Sequence, residues 1–155
     1  MSTPLRPSDV SAARPRLVVV GDGPTRDGLQ ALAQQVYPSA EFPGERTGAD
    51  LEPYFASADL FVLPGTGGLA VQQAMAHGLP VIAAEGDGTL DALIHPANGW
   101  RVPPADLSAL AEALHTALAD IPRLRRMGAE SYRIVAEEVN LETMVEAFLQ
   151  ALTAI

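Results

Sequence analysis

The 155-residue chain has no cysteine and no lysine. Without cysteine there is no disulfide framework and no thiolate metal site, and His77, His95 and His115 lack the spacing of zinc ligands. Without lysine, all ten basic residues are arginine, set against 19 acidic ones for a net charge of −9. Nucleic-acid affinity rests on clustered Lys and Arg neutralising phosphates, so nucleic acid is not expected as a partner. A local anion pocket built from backbone N–H groups stays open. No apolar stretch approaches the roughly 18 residues of a membrane-spanning helix. The opening "MSTPLRPSDVSAARPR" has no apolar core of the signal-peptide kind. It reads as a flexible, proline-marked lead-in over residues 1–15, and a cytoplasmic location is expected.

What is present is an ordinary globular composition, 48% hydrophobic and 19% charged, at the length of one domain. From Arg16 onward short apolar runs alternate with helical patterns, the signature of βαβ units and a parallel sheet. "RLVVVG" is a β-branched run of the kind buried on both faces of a sheet. After "GDGP", residues 25–36 form a helix with Leu29, Leu32 and Val36 on one face. "AEF" is a short second strand, and residues 51–57 a short helix with Asp50 as N-cap. "ADLFVLP" is the third strand, residues 68–77 a helix closed by Gly78, and "PVIAAE" the fourth strand. Beyond "GDGTLDALIHPANGWRV" three helical patterns occupy 106–155. The first places Leu107, Leu110, Ala111, Leu114 and Leu118 at helix spacing behind Asp106. The second starts at Pro122, and the third, capped by Asn140, carries a stripe of Val145, Phe148, Leu149 and Leu152. Residues 16–155 are thus expected to form a single domain of the α/β class, a Rossmann-like parallel sheet with helices on both faces and extra C-terminal helices.

The stretch "PGTGGLA" joins the third strand to the next helix. A helix N-terminus has N–H groups without partners and the positive end of the macrodipole, and glycines let backbone approach an oxygen closely. Donors for an anion would come from Thr66, Gly67, Gly68 and Leu69; the alternative is a tight turn for helix–strand packing. Gly65, Gly67 and Ala70 also match G-x-G-x-x-A, with Glu85 20 residues past Gly65 where a ribose-binding acid belongs in a dinucleotide site. That fingerprint normally opens the first βαβ unit, whereas this turn follows the third strand.

An ordered set of motifs runs from Arg16 to Ser131: "RLVVVGDGP", then "EFPG", a tyrosine-containing helix, "ADLFVLP", the glycine loop, "AMAHGLPV", "NGW" and "PPADL". This order resembles the C-terminal, nucleotide-sugar-binding half of retaining GT-B glycosyltransferases of the family 4 kind. The resemblance implies a domain that holds a UDP- or GDP-sugar as donor substrate, with no metal or other cofactor, for transfer to a glycan or lipid-linked acceptor. It places the amides of Thr66 to Leu69 toward the diphosphate and sugar, Gly21 and Gly23 beneath the donor, and the loop from Gly44 to Thr47 near the base. Arg46 would reach a phosphate or stack on the base, or else be a solvated surface residue.

The chain departs from that family at two positions eight apart, where Gly65 and Gln73 stand in place of the usual glutamates. Gln73 can still bond a ribose hydroxyl, without charge-assisted strength. Gly65 leaves sugar contacts there to the backbone. The family's upstream arginine and lysine, which stabilise the leaving diphosphate, have no counterpart, a loss worth several orders of magnitude in rate if nothing replaces it. No catalytic residue is assigned. The resemblance therefore implies as partner an N-terminal acceptor-binding domain or subunit, with the isolated chain inactive. The alternatives are a catalytically silent partner subunit or truncated domain, and an NAD-binding domain.

Other residues leave two readings open. Glu85 and Asp87 line the donor pocket or merely open a helix, and Asp91 is a pocket acid or a solvated helix residue. His77 sits at a helix C-terminus, where imidazolium is favoured. Trp100 packs on a short strand or stacks on a base. Arg123, Arg125 and Arg126 form a solvated helix face or a peripheral contact with the inner face of the cell membrane.

Overall fold

Two parallel ladders carry the chain. The computed structural model describes residues 14–65, 67–86 and 88–153. They fall into two compact units, one running up to Leu51 and the other starting at Glu52.

In the first unit, β1 (Val18–Val20) and β2 (Glu41–Gly44) pair in parallel through the crossover helix α1 (Arg26–Val36). Val18 pairs with Glu41 and Val20 with Gly44, so β2 accommodates one extra residue. Pro43 lies in this irregular stretch, where a residue without an N–H costs no ladder bond. Leu29, Leu32 and Val36 are all exposed, so their face of α1 is uncovered in this chain. Asp50 is not the N-cap of a helix. It closes a 3-10 turn, Gly48–Asp50, donating its N–H to the Thr47 carbonyl, and the following helix α2 starts only at Glu52. The positive φ of Gly48 (+53°) starts the turn early and displaces the helix start.

The second unit holds α2 (Glu52–Ser57) and the ladder of β3 (Phe61–Leu63), β4 (Val81–Ala84) and β5 (Gly99–Val102), all parallel, in that spatial order. All four residues of β4 are buried, as the unbroken apolar run predicts for a central strand. Ile82 faces a cluster with Val102 and with Ala113, Ala117 and Leu124 from the C-terminal helices. Helix α3 (Gly68–Ala76) packs on β3 and β4 and buries Val71, Ala74 and Met75.

After α4 (Gly88–Leu93) and β5, helix α5 (Leu107–Leu118) starts as expected, with the Asp106 carboxylate accepting the Ala109 N–H at 2.9 Å. Its buried face differs from the leucine spacing: Ala113 and Ala117 are buried, Leu110 and Leu114 partly so, and Leu107 is 80% exposed. Small alanines let the helix backbone approach the sheet, which turns the contact face toward 110, 113, 114 and 117.

Helix α6 (Ile121–Glu138) is capped by Asp120, with Pro122 in its first turn, and buries Leu124, Met127, Gly128, Ser131 and Ile134. Its fit against the turn after α3 depends on Gly128, because a Cβ there would stand 2.0 Å from the Gly78 carbonyl oxygen. Asn140 caps α7 (Leu141–Thr153) through the Thr143 N–H at 2.8 Å. The stripe of Val145, Phe148, Leu149 and Leu152 is exposed, Phe148 by 68%. Among the described residues no helix is long and apolar enough to cross a membrane.

Candidate functional site

Because β3, β4 and β5 are parallel and paired in register, the turns leaving Leu63, Ala84 and Val102 share the C-terminal edge of the ladder. The turn after β3 is the glycine loop. Gly67 is the N-cap of α3 with φ +152°, and a Cβ there would meet Leu63 Cδ2 at 3.2 Å, so the position suits glycine on two counts. Among the described residues no side chain caps α3, which leaves its first-turn N–H groups at the positive end of the dipole without a described side-chain acceptor. Gly65 and Gly67 are exposed, Gly68 opens the helix, and Leu69 is 78% exposed. Gln73, also exposed, lies one turn beyond Leu69 on the same side of α3. Thr66 lies outside the described residues.

The turn after β4 is bound to β5. Glu85 is exposed and donates its N–H to the Val102 carbonyl at 2.9 Å. Asp91 is not a freely solvated helix residue. Its Oδ2 accepts the Gly86 N–H at 3.4 Å, its Oδ1 faces Arg101 Nη1 at 3.8 Å, and Arg101 also donates to the Asp91 carbonyl at 3.2 Å. Asp87 lies outside the described residues. Trp100 packs against the core cluster with the Arg123 guanidinium 5.7 Å from its ring centroid, as the packing reading expects.

Two further polar residues hold the opposite, N-terminal end of the ladder. Asn98 is fully buried; its Oδ1 accepts the His95 N–H at 2.6 Å and its Nδ2 donates to the Leu93 carbonyl at 3.1 Å, fixing the passage from α4 to β5. His77 Nδ1 is 2.8 Å from the Gln73 carbonyl oxygen and Nε2 is 2.7 Å from Glu52 Oε2. The bond to the Gln73 carbonyl first, then the Glu52 carboxylate, push the His77 pKa above the ordinary histidine value.

In the first unit, Gly21 donates its N–H to the Gly44 carbonyl at 3.0 Å, which joins the loops leaving β1 and β2. Gly23 donates to Asp22 Oδ1 at 2.7 Å. Arg46 is exposed, with Nη1 bonded to the neighbouring Glu45 carbonyl at 2.8 Å. The candidate residues are thus divided: Gly21, Gly23 and Arg46 belong to one unit, and Gly65, Gly67, Gly68, Leu69 and Gln73 to the other. No group of three or more His, Asp or Glu side chains suited to a metal ion occurs among the described residues.

Residues 6–120 match the family described as Glycosyl transferases group 1. The chain belongs to this family. A GDP-mannose-dependent monoacylated alpha-(1-6)-phosphatidylinositol monomannoside mannosyltransferase of Corynebacterium glutamicum is 35% identical over 149 residues, 88% of this chain and 39% of that protein. A GDP-mannose-dependent alpha-mannosyltransferase of Mycolicibacterium smegmatis is 40% identical over 124 residues, 77% of this chain and 31% of that protein. The solved sucrose-phosphate synthase of Thermosynechococcus elongatus superposes with a TM-score of 0.74 at 29% identity, over 90% of this chain and 39% of that one. The chain thus spans well under half the length of these relatives. Its α/β fold of parallel strands flanked by helices is that of GT-B glycosyltransferases.

Sequence reasoning missed three polar residues of this group 1 domain. Asp22 and Arg26, whose side chains pair at 3.4 Å, lie inside "GDGPTR", where the glycines carry the motif, and Asn98 stood only within the motif "NGW". An asparagine followed by glycine after "HPA" does suggest a turn; its full burial is a property of the packed edge.

Proposed function

We propose that this domain binds the nucleotide diphosphate part of a sugar nucleotide at the C-terminal edge of its strands, for transfer of the sugar to a glycan or lipid-linked acceptor held by another part of the enzyme. The observation that carries the reading is the N-terminus of α3 behind Gly65 and Gly67, capped by no side chain among the described residues, in a chain of the group 1 family. A diphosphate would accept hydrogen bonds from the amides of Gly67, Gly68 and Leu69 and gain from the helix dipole. Backbone donors suit a chain without lysine. Gln73 would bond the ribose. The names of the two mannosyltransferases favour a GDP-sugar over a UDP-sugar. Family membership favours a sugar nucleotide over a dinucleotide. The proposed place of action is the cytoplasm or the inner face of the membrane. Titration calorimetry with GDP and UDP tests the reading: saturable binding of GDP, tighter than UDP, is expected, and no heat with either would refute it for this chain.

The second reading, a catalytically silent subunit, is favoured by Gly65, which supplies no carboxylate toward the sugar. It predicts nucleotide binding without donor hydrolysis or transfer, and enzyme-like turnover by this chain would exclude it.

A further inference from the structure

Among the described residues the first unit has two strands and so two outer edges, and these are built differently. β2 carries the features that keep a free edge from pairing. Its Pro43 has no N–H to offer, Glu41 is exposed and paired with Arg16 at 2.6 Å, and the register slips between Val18 and Val20. β1 has no such guard. Val18, Val19 and Val20 are uncharged, β-branched and consecutive, yet among the described residues β1 pairs with β2 alone. All three valines are half-buried, whereas the comparable run of β4, with a neighbouring strand on either side, is buried throughout.

The ladder also shows which backbone groups are left over. Leu17 accepts the Glu41 N–H at 2.9 Å and Gly21 donates to the Gly44 carbonyl at 3.0 Å, so residues 17, 19 and 21 turn their backbone groups toward β2. Alternate residues of a parallel pair bond on the same side, which points the N–H and C=O groups of Val18 and Val20 outward. No other backbone partner for these two occurs among the described residues.

We propose that the free edge of β1 receives a further strand, an extended apolar segment of the same polypeptide lying in the part of the enzyme that this chain does not span. The pairing runs through the backbone of Val18 and Val20, the strand-addition mode of recognition. It is independent of any ligand at α3. The chain covers 39% and 31% of the two mannosyltransferases, which leaves most of an enzyme of that length to supply the segment. A second copy of the chain is the rival occupant. The outward groups of two residues are too few to hold two free chains together against their lost translational freedom, whereas a covalently joined strand is present at high effective concentration.

The test supplies a strand and reads amide hydrogen exchange by NMR, in the unmodified chain and in two extended forms. One form carries about seven alternating threonine and valine residues ahead of Met1, joined through a flexible glycine–serine linker. The other replaces those valines with proline, which cannot make a ladder. In the unmodified chain Val18 and Val20 are expected to exchange about tenfold faster than Val19, or more. The valine strand is expected to slow Val18 and Val20 by about tenfold, and the proline strand to leave them unchanged. Val18→Pro places its ring where an outward N–H stood and breaks no bond to β2, so it is expected to abolish the gain at Val20 while Val19 stays protected. Exchange unchanged by the valine strand, or slowed equally by both strands, overturns the proposal. So does slow exchange at Val18 and Val20 in the dilute unmodified chain, which would place the covering strand within this chain. Slowing that grows with chain concentration would make the occupant a second copy and overturn it too. If Val18→Pro does not fold, the valine and proline strands carry the comparison without it.

Discussion

His77 and Glu52, 25 residues apart in sequence, are joined by a 2.7 Å contact between Nε2 and Oε2. With Nδ1 facing the Gln73 carbonyl and the ring stacked on Phe55, centroids 4.7 Å apart, both ring nitrogens are donors only in the imidazolium form. The contact fastens the first turn of α2 to the end of α3.

The pH dependence follows in sign. The folded pKa of His77 is raised, so its stabilising contribution is fully present below 6.5, the ordinary value, and is lost as pH rises through the higher folded pKa. Ring-proton titration by NMR should place that pKa above 6.5, with the Glu52→Gln variant falling back toward it. Urea midpoints should decline with pH across that window in the unmodified chain and less in Glu52→Gln.

Gly128→Ala should destabilise the fold by about 2 kcal/mol or more, because the new Cβ would overlap the Gly78 carbonyl oxygen and push α6 off the turn after α3. Chemical denaturation checks this. A loss below about 0.5 kcal/mol, the range of an ordinary surface change, would mean that the helix yields freely.

At the proposed donor site, Gln73→Glu should tighten GDP about fivefold, the difference between a neutral and a charge-assisted hydrogen bond. The gain should vanish with a nucleotide lacking the ribose hydroxyls, which separates this contact from a general charge effect. Calorimetry reads both.

Gly65→Glu should fold as well as the unmodified chain, since nothing lies within 4 Å of its Cβ position and its φ is not positive. Thermal melts check the fold. In combination with Gln73→Glu it should raise affinity for the sugar nucleotide above that for the bare diphosphate. Equal affinities for the two would argue against a sugar contact at this position.

The strands, the first and third helix starts and the caps at Asp106 and Asn140 were legible because each rests on a local signal: a β-branched run, a glycine or a short polar side chain. The buried face of α5 was not, because leucines give the stronger periodicity while the close approach to Ile82 is made by Ala113 and Ala117. Asp50 misled as a cap because the positive φ of Gly48 shapes a 3-10 turn before α2 can begin. At the candidate site the glycine loop was legible as a motif, since backbone donors leave a glycine pattern. In the first unit the bonds from Arg26 to Asp22 and to the Phe42 carbonyl were not, because they depend on where β2 lies beside β1. The exposed faces of α1 and α7 follow helical periodicity, but periodicity alone does not say what covers them.

The central claim is that nucleotide diphosphate meets the backbone at the start of α3. Amide NMR during a GDP titration tests it most directly: the resonances of Gly67, Gly68 and Leu69 should shift together and saturate with the affinity measured by calorimetry, while those of Val145 to Leu152 stay still. Saturable binding that leaves the three α3 amides unmoved would contradict it.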